Sequence, residues 1–113
     1  MLLEKNELPS WFEYPSEFLI LIDQNLLDFD PWIVITGDRL KTRYQGLKER
    51  YPNRELIPFA KREDNDDLAC FEEGKEVVII HDFASSGFEG GQESILFWDW
   101  LKQTVDDMIE YNS

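Results

Sequence analysis

The residues best suited to chemistry are the clustered carboxylates of residues 63–67, which read EDNDD. Oxygen ligands of this kind on a tight turn suit Ca²⁺ or Mg²⁺. An EF-hand loop counted from Asp64 would need a glycine at its sixth position and an acid at its twelfth, and these positions hold Ala69 and Lys75. The pattern therefore favours a solvated turn closed by Asx hydrogen bonds over a metal site. A divalent-metal binder or a small carboxylate enzyme is the less favoured alternative.

The sequence contains one histidine and one cysteine. His81 precedes Asp82 and could act as a general base, but a catalytic triad or a histidine metal centre needs further partners. Cys70 has no CxxC neighbour, so we expect it in the core. Gly87, Gly90 and Gly91 match neither glycine-rich nucleotide-binding motif. We therefore predict no catalytic residue, no cofactor and no metal.

The charge balance limits the possible partners. The chain has 24 acidic and 11 basic residues, a formal charge of -13 over 113 residues. This balance disfavours binding along nucleic acid or on an anionic membrane surface and favours a basic partner. The start of the chain has neither the basic nor the apolar part of a secretion signal. With a single cysteine, the sequence predicts a cytoplasmic protein.

The elements that position these residues fit one domain spanning residues 1–113. Helical periodicity predicts helices over residues 15–25, from a cap at Thr36 or Asp38 to about Tyr51, and after a cap at Ser94. Strand patterns cover residues 56–60, 67–71 and 76–81, with a possible extension at 32–35. Pro58 implies an edge strand or a bulge. The predicted fold is α+β, a small antiparallel sheet packed with about three helices.

Aromatic residues supply the candidates for an interface anchor. Trp98 and Trp100 are two positions apart in the last helix, so only one can face the core. Trp32 lies beside the Pro31 bend, and Phe88 lies in a predicted long flexible loop over residues 83–93. Core packing is the commoner use of aromatic residues, and an interface role stays open. The predicted buried stripe of the last helix is Trp98, Leu101, Val105, Met108 and Ile109.

Several short motifs occur in a recognisable order. They are a strand, an acidic turn and a second strand at residues 57–60, 64–67 and 68–71, a third strand at 76–78, and a closing helix with Ser94, Phe97, Trp100 and Leu101. Together with residues 8–9 and 14–19, they resemble the SUKH superfamily, small α+β domains found as bacterial immunity proteins and in a yeast regulator of cell-wall synthesis. The likeness runs from about Leu56 to Leu101, and the segment after Pro9 departs from the family in its spacing.

The resemblance implies a non-enzymatic role. Many bacterial members are immunity proteins that neutralise a toxin domain, often a nuclease, by direct binding. The acidic charge agrees with this role, since a nuclease presents a positive surface to its substrate. We therefore expect a cytoplasmic protein that binds a basic toxin domain, or alternatively a housekeeping regulatory or scaffold module. The expected partner-binding residues are Asp64, Asp66, Asp67, Glu72, Glu73, Trp32, Phe88 and Glu89.

Overall fold

A computed structural model of the chain describes residues 1–91 and 94–113. These residues form an α+β fold around one antiparallel sheet in the order β1-β2-β3-β4-β5. The strands are β1 (Asp28–Phe29), β2 (Trp32–Val34), β3 (Leu56–Arg62), β4 (Asp67–Glu72) and β5 (Lys75–His81). The helices are a 3₁₀ turn at Lys5–Glu7, α1 (Ser16–Asp23), α2 (Gly37–Arg50) and α3 (Phe97–Tyr111). The predicted class is confirmed, and none of these helices is long and apolar enough to span a membrane.

Strand β3 is central in the sheet. It pairs with β2 on one side and with β4 on the other, and its register with β4 shifts between Pro58 and Ala60. Proline has no N–H for the ladder, so a bulge accommodates it. The bulge predicted for Pro58 is confirmed and the alternative edge position is wrong, because the extension at residues 32–35 does join the sheet. The sequence pattern missed the short β1, which the cis peptide Asp30-Pro31 connects to β2.

Both faces of the sheet are covered. On one face, Leu47 of α2 and Tyr51, which directly follows this helix, pack with Cys70 and other strand residues. On the other face, α1 and α3 complete an aromatic cluster in which the Phe59 and Phe71 ring centroids lie 4.4 Å apart. Successive residues of a strand point to opposite faces, which is why the neighbours Cys70 and Phe71 belong to different clusters. The cover predicted for the apolar β5 is confirmed by three fully buried side chains, Val77, Val78 and Ile80.

Helix α3 begins after the predicted cap at Ser94. The Ser94 hydroxyl instead accepts a hydrogen bond from the Glu76 backbone N–H at 3.0 Å. The Glu76 carboxylate accepts one from the Phe97 backbone N–H, the first of α3, at 2.8 Å. The Glu76 side chain, which comes from β5, therefore caps the first turn of α3. The prediction that Ser94 caps this helix is wrong.

The buried side of α3 also differs from the prediction. Phe97, Trp100 and Thr104 are each at most 2% exposed, whereas Trp98 is 49% and Ile109 59% exposed. Of the two tryptophans, Trp100 is the one that faces the core. The other members of the predicted stripe are half-buried: Leu101, Val105 and Met108.

The chain returns along the outer edge of β5 before α3 begins. The His81 N–H donates to the Glu89 carbonyl at 2.7 Å. Val77 and Ile95 exchange two backbone hydrogen bonds of 2.9 Å. Gln92 and Glu93, part of the loop predicted over residues 83–93, lie outside the described residues.

Candidate functional site

The acidic residues expected at one surface lie at two ends of the sheet. Consecutive turns of an antiparallel meander are separated by the strand between them. The turn that holds Asp64 and Asp66 precedes β4, and the hairpin that holds Glu73 follows it. At about 3.3 Å per residue, the six residues of β4 separate these turns by about 17 Å. The two groups therefore do not form one continuous acidic patch.

Phe88 lies at the same end of the sheet as the β3–β4 turn. The Asp82 N–H donates to the Asp66 carbonyl at 3.0 Å, so the loop after β5 starts against this turn. The loop then folds back, with the Phe88 N–H donating to the Ser85 carbonyl at 2.8 Å. This end of the molecule thus combines an acidic turn with an aromatic loop.

The acidic side chains of the β3–β4 turn are partly used by the protein itself. Arg62 donates to Asp64 at 2.7 Å, and this hydrogen bond lowers the pKa of Asp64 below its ordinary value. Asp67 lies 2.6 Å from Nδ1 of His81. Asn65 accepts a bond from the Asp67 N–H at 2.8 Å, which is the Asx closure that the sequence predicted. Asp66 is exposed, and within the described part of the chain its carboxylate forms no ion pair.

A buried carboxylate anchors the start of the loop after β5. The Asp82 side chain is only 1% exposed and pairs with Arg43, at 3.0 Å, and with Arg50. These arginines are seven positions apart in α2, so they project from the same side of the helix. The Tyr51 hydroxyl adds a 2.8 Å hydrogen bond to the Ala84 carbonyl. The loop predicted over residues 83–93 is therefore anchored at its start by the ion pairs of Asp82 and by the hydrogen bond from Tyr51 to Ala84.

Arg54 fixes the far end of the same loop. Its guanidinium donates to Glu72 of β4 and to Glu89 of the loop, each at 2.8 Å, and to the Gly90 carbonyl at 2.7 Å. Burial raises the pKa of Glu72, but hydrogen bonds from Arg54 outweigh it and the pKa lies below its ordinary value. The hydrogen bond from Arg54 likewise lowers the pKa of Glu89. Arg54 therefore connects the loop to β4 through its bonds to Glu89 and Glu72.

Between these anchors the loop presents two phenylalanine rings to solvent. Phe88 is 79% exposed and Phe83 is 59% exposed. Phe83 has a positive φ of 66° and lies under the guanidinium groups of Arg43 and Arg50, at 5.4 and 4.4 Å from its ring centroid. The Glu89 carboxylate also accepts a bond from the Gly87 N–H at 2.7 Å, next to Phe88. An exposed ring on an anchored backbone is a common form of protein-binding contact.

Three of the expected contact residues are used inside the fold. Trp32 is 4% exposed because its ring packs edge-on against Trp100, with centroids 5.7 Å apart. Glu89 is 5% exposed because Arg54 draws it inward. Glu72 is held in the same ion-pair group. The expectation of surface contacts from Trp32 and Glu89 is therefore wrong.

The loop anchors Arg43, Arg50 and Arg54 escaped the sequence reasoning. The sequence did contain a sign of these anchors. Arg43 and Arg50 are seven positions apart, which places both on one side of a helix whose apolar stripe faces the sheet. The acidic partner of these arginines could be sought in Asp82, which directly follows a predicted strand.

Cys70 and His81 are the remaining side chains that the sequence singled out for chemistry. Cys70 is fully buried, and burial raises the pKa of its thiol, so the reactive thiolate is disfavoured. The His81 side chain is 68% exposed, and its Nδ1 lies 2.6 Å from the Asp67 carboxylate. Across residues 1–91 and 94–113, no group of three or more His, Cys, Asp or Glu side chains could hold a metal ion.

The chain was compared with known proteins at three levels. No family model matches it, no curated protein matches it, and no solved structure matches it.

Proposed function

We propose that this chain is a non-enzymatic, cytoplasmic protein-binding domain that neutralises a basic toxin domain by direct contact. The observation that carries the proposal is Phe88, which is 79% exposed on a loop fixed by ion pairs at both ends. We call Phe88 together with Asp64 and Asp66 the Phe88 surface. The SUKH resemblance supports the toxin-neutralising form of the proposal.

The anchoring of the loop supports a binding role. Ordering a loop on association costs binding free energy, and a loop already held by Asp82 and Arg54 avoids much of that cost. The exposed ring supplies apolar contact area, as aromatic anchors do at interface centres. The neighbouring carboxylates steer a positively charged partner toward that ring.

The proposal is tested on a defined pair of proteins. The carboxy-terminal domain of the protein encoded immediately upstream of this chain's gene is purified, and its association is measured by surface plasmon resonance. Phe88→Ala should weaken binding about 10- to 100-fold, the effect of losing a central anchor. Asp66→Lys should slow association and reduce its salt dependence.

Matched controls separate the Phe88 surface from general charge and apolarity. Tyr111→Ala removes another exposed ring, and Glu73→Lys reverses an exposed acid at the opposite end of β4. Both should bind like wild type. Co-expression should also rescue cells from the toxicity of the upstream domain. Absence of binding contradicts the proposal, and Phe88-dependent binding without rescue would favour the housekeeping alternative.

A further inference from the structure

Helix α3 has an apolar stripe beside its core-facing side, and the middle residues of this stripe, Leu101 and Val105, are half-buried against the edge of the core. Trp98, Leu101, Val105 and Ile109 follow one another at spacings of three, four and four residues, so they form one line along the helix. At 1.5 Å per residue, this line is about 16 Å long. Its ends are open to solvent, since Trp98 is 49% and Ile109 59% exposed.

The side of α3 that faces the core is formed mainly by other residues. Phe97, Trp100 and Thr104 already fill the core side, each at most 2% exposed. Asp107 pairs with Arg62 at 3.6 Å on one flank of the helix. Val105 and Ile109 are each two positions from Asp107, so they project from the other side. The stripe therefore faces away from Arg62 and from the β3–β4 turn.

The charges beside the stripe select the kind of partner. Asp99, Asp106 and Glu110 are exposed on α3, and Lys102 is the one basic residue of the helix. Helix α1, which contacts α3, adds the exposed Ile20 and Asp23. A second copy of this chain would bring acids against acids, which is unfavourable. A basic partner gains from the same carboxylates.

We propose that the stripe docks an amphipathic helix of another protein, one with an apolar face bordered by Lys and Arg. Such helices bind through anchors spaced three or four residues apart, which matches the spacing on α3. The stripe is a second interaction surface. It is separate from the Phe88 surface and does not depend on it.

Labelled synthetic peptides of about 16 residues, long enough as helices to cover the stripe, provide the test. Three peptides share one leucine face and carry Lys, Gln or Glu beside it, and binding to the full chain is followed by fluorescence anisotropy. The Lys peptide should bind at least about tenfold more tightly than the Glu peptide, with the Gln peptide between them. Trp98→Ala and, separately, Ile109→Ser should each weaken the Lys peptide about tenfold.

Controls keep this result apart from nonspecific apolar binding. Leu26→Ala removes an exposed apolar side chain outside α3 that matches Trp98 in exposure, 49% each, and should leave the affinity unchanged. Phe88→Ala should also leave it unchanged, which distinguishes this surface from the proposed toxin contact. The inference is overturned if the Lys peptide shows no saturable binding, if all three peptides bind alike, or if sedimentation reveals a Trp98-dependent dimer.

Discussion

Asp82 is the residue on which the candidate surface most depends. Its carboxylate, 1% exposed, accepts bonds from two arginines whose side chains are 26% and 28% exposed. It also accepts the Phe83 backbone N–H at 3.0 Å. A buried charge is tolerated only when it is paired and hydrogen-bonded, and here both conditions are met by residues distant in sequence.

Asp82→Asn should destabilise the protein by about 1.5–3 kcal/mol, the cost of losing charged hydrogen bonds. The amide keeps the shape of the side chain but cannot offer acceptors to both arginines. Urea denaturation gives the free energy of unfolding. Asp64→Asn breaks a more exposed pair with Arg62 and should cost about 0–1 kcal/mol. Equal effects of the two variants would contradict a structural role for Asp82.

At the scale of elements, the loop after β5 is held by contacts that depend on pH. The lowered pKa values of Glu72 and Glu89 arise from Arg54, which is present as a partner only in the folded chain. Both groups therefore bind protons more tightly when the protein is unfolded. Their contribution to stability is complete above their ordinary pKa of 4.5 and is lost as the pH falls below it.

The double variant Glu72→Gln/Glu89→Gln should flatten this pH dependence. Its free energy of unfolding should fall less steeply than that of wild type as the pH is lowered below about 4.5. Guanidinium denaturation at a series of pH values provides the comparison. Glu73→Gln, in the same hairpin as Glu72 but exposed, should keep the wild-type slope. If the double variant keeps the wild-type slope, protonation of Glu72 and Glu89 does not account for the loss of stability at low pH.

Local patterns predicted most elements, and contacts between elements explain the failures. Strands 67–71 and 76–81 and the bulge at Pro58 follow from side-chain period and the missing proline N–H. The start of α3 did not, because its cap is Glu76 from another strand. The buried side of α3 was also mispredicted, since two apolar lines run along the helix and only tertiary packing selects Phe97 and Trp100 over Trp98. The expectation that Trp32 and Glu89 lie on the surface was wrong for the same reason, because contacts with distant residues bury both side chains.

Across the whole molecule, most basic side chains pair with carboxylates of the protein itself, whereas many acidic side chains are exposed and unpaired among the described residues. Seven of the 11 basic residues form ion pairs with carboxylates among the described residues. They are Arg39, Arg43, Arg50, Arg54, Lys61, Arg62 and Lys75. With a net charge of -13, the exposed acids repel one another across the surface.

Salt should therefore stabilise the protein. Raising NaCl from about 10 mM to about 500 mM shortens the range of surface repulsion and should raise Tm by a few degrees. The partly buried pairs of Asp82 and Glu89 are screened less. The triple variant Glu4→Gln/Asp23→Asn/Asp106→Asn removes three exposed acids and should show a smaller salt response in calorimetry. A fall of Tm with salt would mean that ion pairs outweigh the repulsion.

The segment that returns along β5 decides how a partner can approach the sheet. Glu89 and Ile95 occupy the outward backbone groups of His81 and Val77, so an incoming peptide cannot extend the sheet there by strand addition. The opposite border is β1, only two residues long. A partner of the kind proposed above would then contact side chains rather than pair with the main chain at this edge. Under that proposal, surface substitutions would change the specificity of binding while leaving the backbone untouched.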